Sequence, residues 1–235
     1  MAVPVRALSA RALAILRTEG PISMLRHTVT YCAFLSRRAI RYDRSYLYRH
    51  DVNARDEKEF LPRLDSWDVR IIHSNAEADA VAAEGLEDLR KVFVHSRESL
   101  RRGAIAFCIY VDRALAHIGW LALTPQAKQR VDRLPYAVDF EHGESCTGGT
   151  YTVPQFRGKG LMAYGYFLRF EYLRQLGYTS SRNAVRVNNR ASQKAHSRFG
   201  PEILGTGRFI QILWWQAWNE TPFRGGPVRG LPPAR

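Results

Sequence analysis

Residues 152–161, with the sequence TVPQFRGKGL, have the composition and spacing of an anion-binding turn. Gly158 and Gly160 fall between a predicted strand and the first turn of a predicted helix, and Arg157 and Lys159 alternate with them. Glycine lets the backbone approach a ligand closely, and the free N–H groups and dipole of a helix N-terminus favour negative charge. The segment therefore predicts a cradle for a pyrophosphate, with a structural turn whose cations face water as the alternative.

The glycine spacing matches neither the GxxxxGK[ST] pattern of P-loops nor the GxGxxG pattern of dinucleotide-binding folds. Instead, QFRGKG at residues 155–160 fits the Q/R-x-x-G-x-G/A signature, and the segment resembles the GNAT superfamily of acyl-CoA N-acyltransferases. A second segment, NRASQKAHSRFG at residues 189–200, is similar to the family's downstream N-x-x-A/S-x-x-x-Y-x-x-x-G pattern. The resemblance covers residues 69–218 as a topology and is specific in its motifs over residues 150–200.

The resemblance implies how a coenzyme A thioester would be held. In the family, main-chain N–H groups of the first motif bind the pyrophosphate, and the strand before it pairs its backbone with the pantetheine arm. The resemblance therefore implies backbone pairing at Val153 and a hydrogen bond from Asn189 to the pantetheine chain. It assigns the cradle itself to Gln155, Arg157, Gly158, Lys159, Gly160 and Leu161. Acetyl-CoA is the implied co-substrate, and no metal is expected.

Three residues are candidates for proton transfer. Where the family has a Tyr that protonates the departing thiolate, this sequence has His196, which can donate a proton near neutral pH or serve only in packing. An amine must lose a proton before it attacks a thioester, and the candidate bases are Glu144, on the strand that leads to the cradle, and His117, on a hairpin strand. Each of these two also has a structural alternative. Tyr151 is a further candidate donor, and Cys146 is predicted to be a buried apolar residue rather than a nucleophile.

The elements that position these residues follow from hydrophobic periodicity and from turn and capping signals. Thr124 and Pro125 predict the start of a helix, Asp112-Arg113 a hairpin turn, and Gly177 the end of the longest helix. The predicted strands are 69–73, 104–112, 114–124, 144–153, 180–187 and 209–218, and the predicted longer helices are 75–91, 158–176 and 189–199. This order predicts an α/β fold, and by resemblance a GNAT-like mixed, mostly antiparallel twisted sheet flanked by helices, with a basic helical N-terminal extension. The aromatic residues of the last strand, namely Phe209, Trp214, Trp215 and Trp218, are predicted to pack mainly in the core.

The net charge of +13 is concentrated in two blocks. Residues 1–50 hold nine Arg against Glu19 and Asp43, and residues 155–198 hold nine Lys or Arg against Glu171 alone. An uneven distribution of this kind argues against a general nucleic-acid binder. The phosphates of coenzyme A would match the second block, in which Arg169, Arg174 and Arg182 are expected to be merely solvated.

Composition and charge predict four parts of the chain: a basic amphipathic helical arm at 1–50, a linker at 51–68, a GNAT-like acyltransferase domain at 69–218 and a flexible tail at 219–235. Basic amphipathic helices favour anionic lipid surfaces, so residues 1–44 predict a peripheral membrane contact, with packing on the main domain as the alternative. The helical spacing involves Leu8, Ala12, Ile15 and Leu16, and then Leu25, Val29, Cys32 and Leu35.

No apolar run reaches membrane-spanning length, and the three cysteines form no metal or disulfide pattern. The predicted location is cytoplasmic, with or without peripheral contact at the inner membrane face.

The leading prediction is an N-acyltransferase, first of all an N-acetyltransferase, that moves an acyl group from acyl-CoA to an amine acceptor by direct transfer. One alternative keeps the reaction and takes acyl carrier protein as the donor, since an acidic carrier would suit a basic cradle. The other alternative is a non-catalytic basic protein that binds a membrane surface or nucleic acid. The identity of the amine acceptor does not follow from the sequence.

Overall fold

The computed structural model describes residues 20–23, 40–93 and 95–229 of the 235-residue chain. The chain divides into a large compact unit, Arg44–Arg208 with Trp218–Arg235, and a small one, Met1–Asp43 with Phe209–Ala217. The predicted helical positions between Leu8 and Leu35 and the last six residues of the predicted tail lie outside the described residues. Each unit is described by itself.

The described strands form one sheet in the order β2-β3-β4-β5-β6-β1-β7-β8, with β9 beside β7. Neighbouring strands pair antiparallel in β1/β6, β2/β3, β3/β4, β4/β5 and β7/β9, whereas β5 and β6 are parallel. This confirms the predicted mixed, mostly antiparallel sheet. The bounds are β1 Ile40–Asp51, β2 Asp68–Ile72, β3 Ile105–Val111, β4 Ala114–Ala122, β5 Glu144–Thr152, β6 Ser180–Arg186, β7 Glu202–Ile212, β8 Trp215–Pro222 and β9 Val228–Arg229.

The described helices are α1 Asn75–Ala83, α2 Leu89–Val92, α3 Ser96–Arg101, α4 Pro125–Val131, α5 Leu161–Gln175 and α6 Arg190–Ser197. The predicted start of α4 is confirmed, because the Thr124 hydroxyl accepts the N–H of Ala127 at 3.2 Å. The single helix predicted at 75–91 is wrong: the chain leaves α1 at Glu84 and turns at Gly85, whose φ is +85°. No helix among the described residues is long and apolar enough to cross a membrane.

Helix α5 forms the centre of the core, where residues on most of its sides are buried against β3, β4 and neighbouring aromatic rings. The helix begins at Leu161 rather than at 158, because Gly158 and Gly160 have φ values of +77° and +86°, outside the helical region. Gly177, with φ of +79°, follows its last turn as predicted. The predicted hairpin turn is also confirmed, since Asp112 and Arg113 both have positive φ, as type I′ turns require.

The segment predicted as a linker, residues 51–68, is packed against α5. Phe60 is 1% exposed, and its ring stacks on Phe167 and Phe199 with centroid distances of 5.5 and 4.6 Å. The Tyr164 hydroxyl donates to Glu57 at 2.8 Å. The polar composition of the segment did not indicate these contacts, in which Phe60 joins the segment to the core together with the buried Val52 and the partly buried Leu64 and Trp67.

Both ends predicted for the acyltransferase domain also differ from the structure. Residues 40–50, assigned to the helical arm, form strand β1, whose Tyr46 and Tyr48 are buried beside Val185 of β6. Residues 219–222 of the predicted flexible tail continue β8, and Val228–Arg229 pair with β7. Tyr42, Tyr46 and Tyr48 of β1 lie an even number of residues apart, which is the period of a strand, but the arginine-rich composition suggested the basic arm instead.

The strand predicted at 209–218 is two strands joined by a turn at Leu213 and Trp214. Phe209 is buried, but Trp214 and Trp215 are exposed, so the predicted core packing is wrong for these two residues. In the described part of the small unit, Arg41 pairs with Asp43, and its guanidinium lies 5.4 Å from the ring centroid of Phe209.

We expect Phe60→Ala to lower the free energy of unfolding by about 3–5 kcal/mol, because it removes a ring from a closed aromatic stack. The adjacent residue gives a matched control: Leu61 is largely exposed, and Leu61→Ala is expected to change stability by about 0.5 kcal/mol or less. Urea unfolding followed by circular dichroism measures both values. Equal effects of the two substitutions would show that residues 51–68 are not anchored.

Candidate functional site

Strands β5 and β6 begin as a parallel pair and then separate. Their register pairs Glu144–Cys146 with residues 180–182. Beyond that point, residues 147–152 of β5 and 183–186 of β6 line a cavity of about 840 Å³. Because the two strands no longer pair there, the facing backbone edges are open to a ligand. An extended chain of amide groups could bond to them as an added strand does.

The N-terminus of α5 forms one wall of this cavity, through Gly158 and residues 160–163. Tyr164 is the first residue of the helix whose N–H has a backbone partner, the carbonyl of Gly160 at 3.1 Å. Among the described residues, no acceptor bonds the N–H groups of residues 158–163. The predicted cradle therefore has the unsatisfied donors and the positive dipole end that bind an anion.

Arg63, which the sequence analysis missed, lines the cavity and braces the cradle. Its guanidinium donates to the carbonyl of Gly158 at 2.6 Å, and its N–H donates to the carbonyl of Lys159 at 2.9 Å. In a trans peptide the carbonyl and the following N–H point in opposite directions. Occupying these two carbonyls therefore turns the N–H groups of Lys159 and Gly160 away from Arg63. No local sequence signal distinguishes this arginine from other surface cations.

The cavity wall carries positive charge. Its cationic side chains are Arg63, Arg157, Arg186, Lys194 and Arg198, and none of the described residues that line it is Asp or Glu. Arg157 is held in place by a bond from Nε to the carbonyl of Thr152 at 3.1 Å. Like charges gathered around one cleft raise the local concentration of an anionic ligand.

His196 lies in the cavity wall but is fully buried. Its Nδ1 is 3.1 Å from Nε2 of His50, and its Nε2 is 3.3 Å from the side-chain amide of Asn183. Burial, and then the charges of His50 and Arg169, lower the pKa of His196 well below its usual value. The imidazole is therefore neutral at pH 7, and both of its nitrogens are engaged. This environment does not fit the imidazolium donor expected from the sequence.

The two candidate bases do not reach the cavity wall. His117 is fully buried, its Nδ1 is 2.7 Å from the Thr152 hydroxyl, and burial with the nearby Arg169 lowers its pKa to about 3. Glu144 accepts the N–H of Asp139 at 2.9 Å, and its other oxygen is 3.4 Å from Nε of Arg182. Both side chains are held by neighbours of the fold. Their expected role as bases therefore finds no support in their placement.

Of the remaining predicted cofactor residues, Asn189 lines the cavity, whereas Val153, Gln155 and Lys159 do not. Asn189 lines the cavity and caps α6, where its side-chain oxygen accepts the N–H of Ser192 at 3.1 Å. Val153 does not line the cavity, and its N–H donates to the carbonyl of Ala116 at 3.0 Å. Gln155, in a short 3-10 turn, and Lys159 are exposed and are also outside the wall.

Tyr166 is a functional candidate that the sequence analysis did not identify. It lies on α5, lines the cavity, and its hydroxyl accepts from Asn183 at 3.3 Å and from the Thr150 hydroxyl at 3.4 Å. The buried Arg169 guanidinium lies 3.9 Å from the centroid of its ring. Helix α5 is apolar on nearly every side, so its periodicity did not indicate which side faces the cleft.

The expectation that Arg169 is solvated is wrong, because the residue is fully buried. Its Nε donates to the carbonyl of Gly165 at 2.9 Å and its Nη1 to the Thr150 hydroxyl at 3.2 Å, while its Nη2 has no partner among the described residues. Arg174, in contrast, pairs with Glu171 at the surface. The guanidinium is a cation buried beside the cavity, compensated by carbonyl, hydroxyl and ring contacts.

Cys146 is buried, as predicted, and its sulfur is 3.3 Å from the Tyr136 hydroxyl. Burial raises the pKa of its thiol to about 12, so the thiol is protonated and unreactive at neutral pH. The described residues contain no cluster of three or more His, Cys, Asp or Glu side chains that could hold a metal ion.

The buried histidines predict a pH-dependent stability. Burial lowers the pKa of His50 and of His117 to about 3, against about 6.5 in an unfolded chain. Below pH 6.5 the unfolded chain binds more protons, so this stabilisation is complete above pH 6.5 and is lost as the pH falls towards 3. We expect the free energy of unfolding to fall by up to about 1.4 kcal/mol per pH unit for each such histidine.

Denaturant unfolding between pH 7.5 and pH 5 measures this slope. His117→Gln should reduce the slope, whereas His95→Gln, at an exposed position, should leave it unchanged. A slope that is the same in both variants would contradict the neutral, buried state of His117.

Comparisons with known proteins find similarity at the level of fold. No family model and no curated protein sequence matches this chain. A tandem GNAT protein from the clavulanic acid biosynthesis pathway is 17% identical with a TM-score of 0.49, over 80% of this chain and 57% of that chain. The GCN5-related glucosamine N-acetyltransferase region of a fungal multi-domain GH3 β-N-acetylglucosaminidase is 14% identical with a TM-score of 0.48, over 78% and 23%.

A GNAT-family acetyltransferase from Colwellia psychrerythraea is 18% identical with a TM-score of 0.45, over 73% of this chain and 56% of that chain. This chain spans less than two thirds of the length of each of these three proteins. In fold, the chain is similar to GNAT acetyltransferases.

Proposed function

We propose that this chain is an N-acyltransferase that takes an acyl group from a coenzyme A thioester, in the first instance acetyl-CoA, and passes it to an amine. The open N-terminus of α5 carries the proposal, because its unpartnered N–H groups face a cavity lined by five cations. A pyrophosphate requires several convergent donors together with positive charge. The cradle offers the donors, and the side chains that line the cleft offer the charge.

Different residues of the cleft would bind different parts of the thioester. The N–H groups of residues 158–161 would bind the pyrophosphate, with Arg157 and Arg63 supplying charge. The open edge of β5 at residues 147–152 would pair with the amides of the pantetheine arm, since the N–H of Val153 is already bonded to β4. The side-chain amide of Asn189 would add a hydrogen bond from the opposite wall. The side chain of Lys159 would contribute only to the positive field at the entrance, and the side chain of Gln155 would take no part.

The thioester supplies an activated acyl carbonyl, and the chain must supply a proton for the departing thiolate. We assign that proton to the hydroxyl of Tyr166, which lines the cavity, rather than to His196, whose nitrogens are occupied. Transfer of the proton leaves negative charge on the phenolic oxygen until the proton that the attacking amine loses restores the phenol, so that amine and thioester become amide and thiol. The buried Arg169 cation against the ring would stabilise that charge.

The positive charge of the cavity wall also restricts the charge of the amine acceptor. A cavity with five cationic side chains repels an ammonium group and favours its deprotonated form. An amine on a neutral or anionic molecule therefore suits the cleft better than a polyamine does. The same cations would also bind the phosphate of an acyl carrier protein. The experiment therefore has to distinguish a coenzyme A thioester from a carrier-protein thioester as the acyl donor.

Calorimetric titration with coenzyme A and with acetyl-CoA tests the cradle directly. We expect Gly160→Val to weaken binding by roughly a hundredfold or more, because a β-branched residue at φ of +86° distorts the N-terminus of α5. Gly177→Val places the same strain at the other end of the helix, outside the cavity, and should leave affinity within about twofold in a folded protein. Equal affinities of folded Gly160→Val and wild type would overturn the cradle. Turnover of an acyl carrier protein thioester without any coenzyme A binding would transfer the proposal to that donor.

Steady-state kinetics tests the proton donor. We expect Tyr166→Phe to lower kcat by roughly a hundredfold while coenzyme A affinity changes little, since only the phenolic proton is removed. His196→Gln is the comparison, and its kcat should fall by less than tenfold if the variant remains folded by thermal unfolding. The reverse ranking of the two variants would assign the proton to His196.

A further inference from the structure

The hairpin between β7 and β8 has an apolar apex, defined as residues 212–215. Its side chains Ile212, Leu213, Trp214 and Trp215 are 45%, 55%, 88% and 54% exposed. Single exposed apolar residues are ordinary, but a contiguous exposed group marks a surface that contacts something. The apex lies entirely within the small unit.

Leu213 and Trp214, the two residues of the turn, are not of the types that favour a hairpin turn. Leu213 adopts φ of +54°, a conformation that glycine, asparagine and aspartate accept more readily. Trp214, the second residue of the turn, is the most exposed large apolar side chain of the described residues. Turn formation therefore does not explain the leucine and the tryptophan, whereas insertion into an apolar phase does.

Charge indicates which phase this is. Residues 209–217 contain no charged side chain, and the sequence of residues 1–43 contains seven Arg against Glu19 and Asp43. Tryptophan is the side chain that favours the interface of a bilayer, and arginine is attracted to anionic headgroups. Gln211 and Gln216 flank the apex with neutral polar groups. This combination of an uncharged aromatic tip with a basic N-terminal sequence is complementary to an anionic lipid surface.

The small size of the apex argues against a protein partner. A stable protein interface uses roughly 20–30 residues on each side, whereas the apex has four residues. A fluid bilayer needs no complementary groove to accept such a tip. We infer that the β7–β8 apex inserts into the interfacial region of an anionic lipid bilayer and anchors the protein peripherally.

Vesicle sedimentation of the full-length protein tests the anchor. We expect the double variant Trp214→Ser/Trp215→Ser to lower the partition coefficient onto phosphatidylcholine–phosphatidylglycerol vesicles by roughly tenfold or more. The control is Ile71→Ser/Leu176→Ser, which removes two exposed apolar side chains of the large unit and should leave partitioning unchanged. Coenzyme A affinity should be equal in all three proteins, so the result is independent of the proposed reaction.

Lipids with brominated acyl chains locate the contact. Tryptophan fluorescence of the bound wild type should be quenched, and the quenching should be absent in Trp214→Ser/Trp215→Ser. Binding of both proteins to the same extent would overturn the proposal and assign the contact to residues 1–39. Equal binding to pure phosphatidylcholine vesicles would overturn the requirement for anionic lipid. A wild-type dimer that the double variant abolishes, with no vesicle binding, would replace the bilayer by a second copy of the chain.

Discussion

The buried guanidinium of Arg169 is the contact on which the geometry of the cleft depends. From α5 it bonds the carbonyl of Gly165 and the hydroxyl of Thr150 on β5, and it lies on the ring of Tyr166. On β4 it fills the space left by Gly119, where any Cβ would overlap the guanidinium. One side chain thus ties the central helix to the irregular part of the β4/β5 pair, beside the separation of β5 from β6. Removing it would leave the part-buried hydroxyl of Thr150 without this donor.

This cation also sets the electrostatic character of the interior. After burial itself, its charge lowers the pKa values of His117 and His196, so these imidazoles stay neutral beside the cleft. The candidate proton donor that remains in the cavity wall is the hydroxyl of Tyr166, whose ring lies against the guanidinium of Arg169. In the proposed reaction the five cations of the cavity wall would bind the donor and the buried cation would stabilise charge, so the two sets of positive groups would have different functions.

Several elements could be predicted from local patterns because their signals are local. The capped start of α4 at Thr124, the turn at Asp112-Arg113 and the cradle between Gly158 and Gly160 each depend on residues a few positions apart. Predictions based on composition failed instead. Residues 51–68 are polar overall, yet Phe60 anchors them through rings that are more than 100 positions away in the chain. Similarly, the arginines of residues 40–50 concealed the alternating pattern of β1.

The sequence by itself determined the order of the elements from β3 to α6 and the glycine turn that precedes α5, because glycine conformations and helix N-termini act over a few residues. Only the tertiary structure decided which charged groups meet. Glu144 and His117 were equivalent candidate bases along the chain and His196 was the candidate acid, but folding holds the first two outside the cavity wall and buries His196 beside His50. Burial lowers the pKa values of the two histidines, and long-range packing sets the placement of all three side chains. Neither effect can be read from spacing along the chain.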